Sequence, residues 1–472
     1  MAFQIFNTLT RKVETFSPRD TAKRKVGMYC CGPTIYDYGH IGNFRTFVFA
    51  DLVWRCLEFQ GYDVTFVMNI TDVEDKIIQR VQTSGRSLKD YTSRYESAFL
   101  EDMEVLNCRL PHRVPRATEH IPDIIELIQK LMERGIAYQA ADRSVYFSID
   151  KYQARGGHYG QLLNLNFDQM RPGARVERDE YDKESVADFA LWKSRVQADG
   201  EVYWDSPWGE GRPGWHIECS AMSMRELGPS FDLHLGGEDL VFPHHEDEIA
   251  QSEGAGVQKD GTPFVKYWLH CAHLLVEGKK MSKSLGNFFT LRDLLDRGFD
   301  GREIRYLLSS AHYRETFNFT LEGLLGARAG LARLDECIDK LEDLGAGIRV
   351  EPEHSLTQSV GKALSDDLNL AAAWGAVFEW VRRLNKLVAS KNLSPQQASA
   401  HLGDWGQVNM VLGIKRPSRS VEISSELKAL MEERQVARQS RNFARADTIR
   451  EELKQLGWVI VDTPKGSKLK PL

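Results

Sequence analysis

The sequence predicts an α/β protein whose parallel sheet is split by an inserted segment and followed by a largely helical C-terminal part. Residues 25–31 form a short apolar run that ends at a Gly-Pro turn, residues 41–61 show helical spacing, and residues 63–70 form a second β-rich run. A strand, a glycine turn, a helix and another strand make up the βαβ unit of a nucleotide-binding sheet. The ligand of such a unit is expected at the first turn.

The pattern of predicted secondary structure changes in the next part of the chain. Helical patterns at residues 88–106 and 119–134 are followed, from about 135 to 211, by short β-like pieces that alternate with glycine-rich turns. The pieces RSVYFSI and EVYWDS are the clearest of them. This alternation is typical of a domain inserted between two halves of a sheet.

The sheet is expected to be completed by strands at residues 231–235 and 267–276. From Thr290 onward the pattern is almost entirely helical, and the break KRPSRSVEISS precedes a last unit that starts near Ser424. Six parts are therefore predicted. They are residues 1–112 and 211–275 as two halves of the sheet domain, 113–210 as the insertion, 276–325 as a connecting region, 326–414 as a helical bundle, and 415–472 as a basic terminal unit.

Composition narrows the classes of protein. The chain has 472 residues and 7 cysteines, and it has neither an apolar run long enough for a membrane span nor a cleavable leader pattern. Reduced thiols in a cytoplasmic protein are expected, with metal or catalytic use favoured over disulfides. Residues 415–472 hold 13 Lys and Arg against 8 Asp and Glu, a charge of +5, so the rest of the chain carries −11. A basic unit on an acidic body suits a nucleic-acid partner, although a solvated charged helix would have the same charge.

Two short motifs predict phosphate chemistry. His40-Ile41-Gly42-Asn43 lies at the predicted start of the first helix, where free N–H groups and the helix dipole bind phosphates. Lys280-Met281-Ser282-Lys283-Ser284, followed by Leu285-Gly286-Asn287, is a glycine-flanked basic segment that we call the lysine loop (residues 280–287). Its lysines could neutralise charge on a reacting phosphate, whereas a solvated basic loop is the ordinary alternative.

A third set of residues has the chemistry of a metal site. Cys219 lies in GWHIECSAM, and His244 and Glu248 lie in DLVFPHHEDEIAQS, where Pro243 predicts a helix start. His244 and Glu248 would then share one helical face, and a thiolate, an imidazole and a carboxylate together are typical zinc ligands. Taken separately, Cys219 also fits a small buried residue and His244 an ordinary polar one. A fourth ligand is needed, and Cys31 is available at the edge of the nucleotide site.

Two adjacent cysteines end the first predicted strand. Side chains alternate along a strand, so Cys30 and Cys31 should point to opposite faces. They cannot then both bind one ion. Cys31, beside the Gly32 turn, is the candidate ligand, and Cys30 is expected to pack as a small apolar residue.

The two phosphate motifs together resemble the His-Ile-Gly-His and Lys-Met-Ser-Lys-Ser signatures of class I aminoacyl-tRNA synthetases, with Asn43 in place of the last histidine. Within that class, the chain resembles the cysteinyl-tRNA synthetases. The likeness runs through MYCCGPTIYDYGHIGN, NITDVEDKI, GWHIECSAM, FDLHLGGEDLVFPHHEDEIAQS, GKKMSKSLGN and the terminal RNFARADTIREELKQLGWVIVDTPKG.

This resemblance implies a Rossmann-like catalytic domain split by a connective insertion, then an α-helical bundle and a small anticodon-binding unit. It implies one zinc ion per chain, held by Cys31, Cys219, His244 and Glu248. It also implies a cysteine pocket lined by Gly32, Thr71, Trp215 and His234. Asp239 would contact the ribose of ATP.

The resemblance further implies L-cysteine, ATP with Mg²⁺ and tRNA-Cys as ligands, and no membrane partner. His40, Gly42, Asn43, Lys280 and Lys283 would bind ATP, and all of these except Gly42 would act in catalysis by positioning and charge stabilisation. Residues 276–325 would contact the tRNA stem. Arg441, Arg445 and Lys465 are candidate RNA contacts as members of the basic unit, and a monomer is expected because no dimer element is evident.

Three other functions compete with this one. A cysteine:amino-sugar ligase of the mycothiol pathway would form the same adenylate but would not need an anticodon-reading unit. A catalytically inactive RNA-binding or zinc-sensing relative should have lost phosphate-binding residues, yet His40, Lys280 and Lys283 are present. An unrelated nucleotide-binding regulator leaves the cysteine, histidine and glutamate set unexplained.

Overall fold

The computed structural model describes residues 2–163, 188–259, 261–416, 425–463 and 466–471. The chain divides into two compact units, Met1–Lys415 and Arg416–Leu472. The first unit begins with an antiparallel hairpin of β1 (Gln4–Asn7) and β2 (Lys12–Thr15). The predicted break at residues 415–425 lies mostly outside the described residues.

A parallel sheet forms the centre of the first unit. The βαβ unit consists of β3 (Lys25–Cys30), α1 (Ile41–Phe59) and β4 (Asp63–Met68), and β3 pairs in parallel with β4. Gly61, with φ of 83°, follows the helix at the predicted stop, since glycine adopts this left-handed conformation readily. Three helices follow: α2 (Asp75–Ser84), α3 (Leu88–Val105) and α4 (Ile121–Glu133).

An antiparallel sheet follows the first half of the parallel sheet. Its strands, in the order in which they pair, are β5 (Ala137–Gln139), β6 (Val145–Phe147), β7 (Phe189–Ser194) and β8 (Gly211–Pro213), and the short helix α5 (Ile149–Ala154) follows β6. The predicted β-like piece at residues 201–206 was wrong, because only Trp204 there forms a bridge, to Gly211. Part of the predicted insertion, residues 164–187, lies outside the described residues.

The second half of the parallel sheet consists of β9 (Phe231–Gly237) and β10 (Val265–Cys271). The helix α6 (Trp215–Leu227) precedes β9, and α7 (Glu246–Gly254) lies between the two strands in the chain. The strand order is β10-β9-β3-β4, and every pair is parallel. The single strand predicted at residues 267–276 was wrong. It is two strands, because the chain leaves the sheet after Cys271 and begins β11 (Leu274–Val276) in another one.

β11 belongs to a small three-stranded sheet that carries the lysine loop. It pairs with β12 (Lys279–Lys280) and with β13 (Phe317–Phe319), and α8 (Leu291–Asp296) and α9 (Gly301–Leu308) lie between these two strands in the chain. The helices α10 (Leu321–Leu344), α11 (Ser355–Ser365), α12 (Leu370–Ala389) and α13 (Pro395–Leu412) complete the first unit.

The second unit contains α14 (Ser425–Gln439), α15 (Phe443–Gln455) and an antiparallel pair, β14 (Trp458–Thr463) and β15 (Gly466–Pro471). In the part of the chain that the structure describes, no helix is long and apolar enough to cross a bilayer. The predicted fold class, a parallel α/β sheet with a helical C-terminal region, is confirmed.

The two faces of the parallel sheet have different coverings. Met28 and Cys30 of β3 pack with residues of α1 in the main hydrophobic core. Tyr29 and Cys31, on the other face, pack with Cys219 of α6 and other residues in a second cluster. Because side chains alternate along β3, one face of the sheet packs against α1 and the other face bears cysteine and histidine residues.

Candidate functional site

The predicted site residues gather where the strands of the parallel sheet end. Cys31 follows β3, Thr71 lies three residues beyond β4, and Asp239 follows β9. The carboxyl ends of parallel strands lie at the same edge of a sheet, and open α/β sheets bind their ligands there. The order of strands therefore brings together residues that are far apart in the sequence.

Four buried side chains form the most distinctive feature of this edge. Cys31, Cys219, His244 and Glu248, which we call the buried cluster, have donor atoms that all lie within 4.8 Å of one another. The Cys31 Sγ atom lies 3.7 Å from Cys219 Sγ, 3.5 Å from His244 Nε2 and 3.4 Å from Glu248 Oε1. His244 Nε2 lies 3.1 Å from the same glutamate oxygen. The structure thus brings together all four residues that the resemblance implies as zinc ligands.

Four different segments supply the buried cluster, and His244 comes from the π-helical turn that precedes α7. Cys31 is held at the end of β3 by a hydrogen bond from its N–H to the carbonyl of Leu235, 3.1 Å long. Cys219 lies in the second turn of α6, and Glu248 lies in the first turn of α7. The helix start predicted at Pro243 was early. α7 begins at Glu246, after a π-helical turn over Val241–His245 in which Phe242 has extended backbone angles.

The side chains of the buried cluster shift the pKa values of one another. A hydrogen bond from the Cys31 thiol lowers the pKa of Cys219 to about 6, whereas burial raises the pKa of Cys31. Burial opposes ionisation of Glu248, but His234 and His244 outweigh it and lower the pKa of the carboxyl to about 2. The pKa of His244 rises to about 10 despite burial, because Cys219 and Glu248 bond to its ring. Cys219 and Glu248 are therefore the members of the buried cluster whose pKa falls, which favours the anionic forms that bind metal ions.

Residues around the buried cluster orient its ligands. His216 Nδ1 lies 2.8 Å from His244 Nδ1, and His216 Nε2 lies 3.4 Å from Asp247 Oδ2. The second oxygen of Glu248 lies 2.9 Å from His234 Nε2. Such outer contacts fix the rotamers of metal ligands, and the imidazole–imidazole–carboxylate chain behind His244 is of this kind.

A second grouping of possible ligands overlaps the first. Cys31, His234, His245 and Glu248 also lie within 4.8 Å of one another. This set contains one sulfur where the buried cluster contains two, and His245 is already 2.7 Å from His270 Nε2 through its Nδ1 atom. Burial lowers the pKa of both His245 and His270. The buried cluster is therefore the better set for a soft divalent ion.

Of the residues predicted to line the cysteine pocket, Trp215 and His234 contact members of the buried cluster, and Gly32 follows Cys31 in the chain. The Trp215 ring centroid lies 4.4 Å from that of His244, and the His234 ring stacks on Trp268 at 4.4 Å. Thr71 is buried, and its hydroxyl accepts a hydrogen bond from Asn69 Nδ2 at 3.3 Å. A side chain at Gly32 would place its Cβ 1.7 Å from the Asn69 carbonyl oxygen, so only glycine fits there.

The His-Ile-Gly-Asn motif forms the N-terminus of α1. His40 is the N-cap, its Nδ1 atom accepts a hydrogen bond from Asn43 N–H at 3.2 Å, and Asn43 Oδ1 accepts one from His40 N–H at 3.1 Å. This reciprocal pair is a capping box, and it gives Asn43 a structural role. A Cβ at Gly42 would lie 3.4 Å from the Met281 side chain, which places the lysine loop beside the helix start.

The lysine loop is held by its own last residue. Asn287 Oδ1 accepts a hydrogen bond from Ser282 N–H at 2.8 Å, and Asn287 Nδ2 donates to the carbonyl oxygens of Lys280 and Val276. Lys280 ends β12 and is exposed, and Lys283 begins a short 3-10 helix, Lys283–Leu285.

Not all predicted residues contact each other. Asp239 is exposed in the turn after β9, and among the described side chains neither Asp239 nor Lys280 makes a hydrogen bond or ion pair with the buried cluster. Sequence reasoning missed His216, Asn69 and Asn287. All three lie within the quoted motifs, but the motifs alone do not show which side chains these residues contact.

Family comparisons agree with this geometry. Residues 18–329 match the family described as tRNA synthetases class I (C) catalytic domain. Residues 359–415 match the DALR domain, and residues 420–467 match the cysteinyl-tRNA ligase anticodon binding domain.

Individual proteins give the same result. The chain is 47% identical to a protein named cysteine–tRNA ligase from Chlamydia caviae, over 99% of this chain and 98% of that protein. It is 44% identical to one of the same name from Brachyspira hyodysenteriae, over 98% of each.

Two solved structures share the fold. A leucyl-tRNA synthetase complex from Agrobacterium radiobacter has a TM-score of 0.60 at 12% identity, over 88% of this chain and 86% of that one. Methionyl-tRNA synthetase from Mycobacterium tuberculosis has a TM-score of 0.57 at 16% identity, over 82% and 90%. The signature motifs, the sheet with its buried cluster and these matches together show that the chain belongs to the cysteine–tRNA ligase family of class I aminoacyl-tRNA synthetases.

Proposed function

We propose that the chain activates L-cysteine with ATP, releasing pyrophosphate, and then transfers the cysteine to the terminal ribose of tRNA-Cys. The buried cluster carries this proposal, because two thiols, an imidazole and a carboxylate gather at the edge of the sheet where open α/β sheets bind their ligands. Family membership supports the same reaction.

Zinc is the metal that the buried cluster fits best. A tetrahedral zinc site, with Zn–S bonds of about 2.3 Å and Zn–N or Zn–O bonds of about 2.0 Å, separates its ligands by about 3.3–3.8 Å. The spacings of 3.7, 3.5, 3.4 and 3.1 Å measured from Cys31 Sγ and His244 Nε2 are close to that range. When bound, zinc would hold the thiol of the substrate as a thiolate and thereby favour sulfur over oxygen.

Selection of cysteine is the chemical problem that this arrangement solves. Cysteine and serine differ by one atom, and a pocket that relies on shape separates such close analogues poorly. Gly32, Thr71, Trp215 and His234 would enclose the amino acid next to the buried cluster, so that only a side chain with a metal-binding atom gains the full interaction. Thr71 and His234 are buried, as such a pocket requires.

The chain's residues would drive adenylate formation by positioning and charge. The carboxylate of cysteine attacks the α-phosphate of ATP, the bond to the β-phosphate breaks, and pyrophosphate leaves. The N-terminus of α1, with His40, Gly42 and Asn43, would bind the phosphates through the positive end of the helix dipole, while the capping box between His40 and Asn43 holds this helix start in place. Lys280 and Lys283 would stabilise the charge that develops on them, and Asp239 would orient the ribose. Mg²⁺ would accompany the phosphates of ATP.

Transfer to tRNA uses the same pocket. A hydroxyl of the terminal ribose attacks the adenylate carbonyl, and AMP leaves. We propose that residues 276–325 contact the tRNA stem and that residues 415–472 bind its anticodon, with Arg441 and Arg445 among the basic residues available there. Arg445 of α15 also bonds to Glu433 of α14 and to Glu452 of its own helix. Lys465 lies outside the described residues.

Further parts of the proposal concern organisation. We propose that residues 1–112 and 211–275 form the two halves of the catalytic domain, that residues 113–210 form the insertion, and that residues 326–414 form a bundle. We also propose a cytoplasmic monomer. All seven cysteines are unpaired and buried, which fits a reducing compartment.

The acceptor decides between this function and that of a cysteine:amino-sugar ligase. The experiment incubates the chain with labelled cysteine and ATP, and with either tRNA-Cys or an amino sugar as acceptor. Label on tRNA-Cys alone is expected, because residues 420–467 match an anticodon-binding family. Label on the amino sugar, or on neither acceptor, would contradict the proposal.

A further inference from the structure

A buried arginine lies between the two phosphate-binding segments. Arg45 is in the second turn of α1, and its side chain is 2% exposed. From its contacts we infer that Arg45 is a positioning residue that sets the spacing between the start of α1 and the lysine loop. This inference rests on the proposed function, because it concerns the ATP site of that reaction.

The guanidinium of Arg45 binds four backbone carbonyl oxygens. Nη1 donates to Ala272 at 3.0 Å and to His273 at 2.7 Å, and Nη2 donates to His312 at 3.3 Å and to Glu315 at 2.6 Å. These carbonyls come from two connections that are forty residues apart in the chain. One side chain therefore ties both connections to α1.

Both connections lead into the small sheet that carries the lysine loop. Ala272 and His273 join β10 to β11, while His312 and Glu315 precede β13, which pairs with β11. The connections also bond to each other, from Ala272 N–H to the Tyr313 carbonyl at 2.8 Å and from Phe317 N–H to the His273 carbonyl at 3.0 Å. Arg45 thus fixes the base from which β11 and β12 extend.

The lysine loop is joined rigidly to that base. Asn287 binds the carbonyl of Val276, at the end of β11, and also the backbone of Lys280 and Ser282. Beyond the loop, Ile41 N–H donates to the Phe289 carbonyl at 3.0 Å. A displacement of β11 would therefore move Lys280 relative to His40.

The chemistry of Arg45 favours a geometric role over an ionic one. Arg45 makes no ion pair with any described residue, although a buried cation without a carboxylate partner is costly. Burial accordingly lowers its pKa. Five N–H donors in a rigid plane can satisfy several carbonyls at fixed angles, which a lysine ammonium cannot reproduce.

The consequence for catalysis follows from the precision that phosphate transfer needs. A displacement of about 1 Å in a reacting group can lower a rate by about 10². The buried cluster lies on the opposite face of the sheet, packed with α6 and α7 and not with α1. Loosening the contacts of Arg45 should therefore slow adenylate formation without changing metal or cysteine binding.

The test compares Arg45→Lys and Arg45→Met with wild type and with a matched control, Arg305→Lys. Arg305 is also fully buried and donates to the carbonyls of Leu106, Asn107 and Leu412. Unlike Arg45 it also pairs with a carboxylate, that of Asp51, but none of these contacts involves the lysine loop or the connections that Arg45 binds. For each protein, cysteine-dependent ATP–pyrophosphate exchange gives kcat and the KM values for ATP and cysteine. Bound zinc and the melting temperature are measured in parallel.

We expect Arg45→Lys to lower kcat about tenfold and Arg45→Met up to about 10². The KM for cysteine and the zinc content should stay within about twofold of wild type in both, and Arg305→Lys should lower the melting temperature while retaining kcat. If Arg45→Met does not fold, the comparison of Arg45→Lys with Arg305→Lys decides the question.

Three results would overturn the inference. One is a loss of thermal stability in the Arg45 variants with kcat unchanged, and another is an equal fall in kcat for Arg305→Lys. The third is a parallel loss of zinc, which would indicate general collapse of the site. Failure of wild type to exchange at all would contradict the proposed function itself, and so is distinguishable from these.

Discussion

At the scale of single residues, the adjacent cysteines show how strand geometry assigns chemistry. Cys30 is fully buried in the core that contains α1, and Cys31 lies with Cys219 on the other face. One position along β3 thus separates a packing residue from a candidate metal ligand. The alternation predicted this division, whereas the distances from Cys31 to His244 and Glu248 depend on elements more than two hundred residues away.

Cys31→Ser should remove bound zinc and lower cysteine-dependent pyrophosphate exchange by at least about 100-fold, because a hydroxyl is a poor zinc ligand. Metal analysis and exchange kinetics measure the two effects. Cys30→Ala is the matched control. It should cost about 1 kcal/mol of stability through the cavity it leaves and should retain zinc and exchange. The reverse pattern would show that Cys30, and not Cys31, is the metal ligand.

Lys283→Ala should lower the rate of adenylate formation by about 10² or more, because a charge that stabilises the transition state is lost. Lys279→Ala, which removes an exposed lysine from the adjoining strand β12, is the control and should keep the wild-type rate. Single-turnover formation of pyrophosphate gives the rate directly. Equal rates for all three proteins would remove Lys283 from the mechanism.

At the scale of elements, the βαβ unit and the helices were predictable because their periodicity is local. The bounds of α1 and α3 differ from the predicted ones by one or two residues. Predictions failed where tertiary contacts decide the conformation. The run at residues 267–276 is apolar except for two histidines, yet it divides between two sheets, and the start of α7 is displaced by a π-helical turn. Neither event leaves a signal in the hydrophobic pattern.

The contact between α3 and α8 has a pH dependence that can be tested. Asp102 of α3 is buried, and burial raises its pKa to about 6, although Arg292 of α8 lies 3.3 Å away and opposes the shift. A carboxyl whose pKa is higher in the folded state stabilises the fold while it is protonated. This contribution is complete below the unfolded pKa of about 4 and is lost as the pH rises through about 6.

Asp102→Asn cannot ionise, so its melting temperature relative to wild type should increase between about pH 5 and pH 7.5. Thermal unfolding at several pH values measures this difference. Glu101→Gln removes an exposed charge that contacts the same Arg292, and so controls for the change in net charge. A difference that is constant or falls with pH would show that Asp102 is not destabilised by ionisation.

At the scale of the whole molecule, charge and function are divided along the chain. Residues 415–472 carry +5 and the rest carries −11, a division that composition alone predicts. The structure separates a unit at nearly the same point, Arg416–Leu472, and an anticodon-binding family matches residues 420–467. The motifs predicted which kinds of side chain, cysteine, histidine and glutamate, form the buried cluster. The network of His216, His234 and Asp247 around it could not be predicted, because those contacts exist only after the sheet has assembled.

We propose above that a metal held by the buried cluster selects the substrate by its thiol. The most direct test is ATP–pyrophosphate exchange with cysteine and with serine, before zinc is removed by a chelator, after its removal and after zinc is restored. We predict exchange with cysteine that is lost on removal and regained on restoration, with serine at least about 100-fold slower throughout. Exchange that survives complete loss of zinc, or that proceeds equally well with serine, would contradict selection of the substrate by a bound metal.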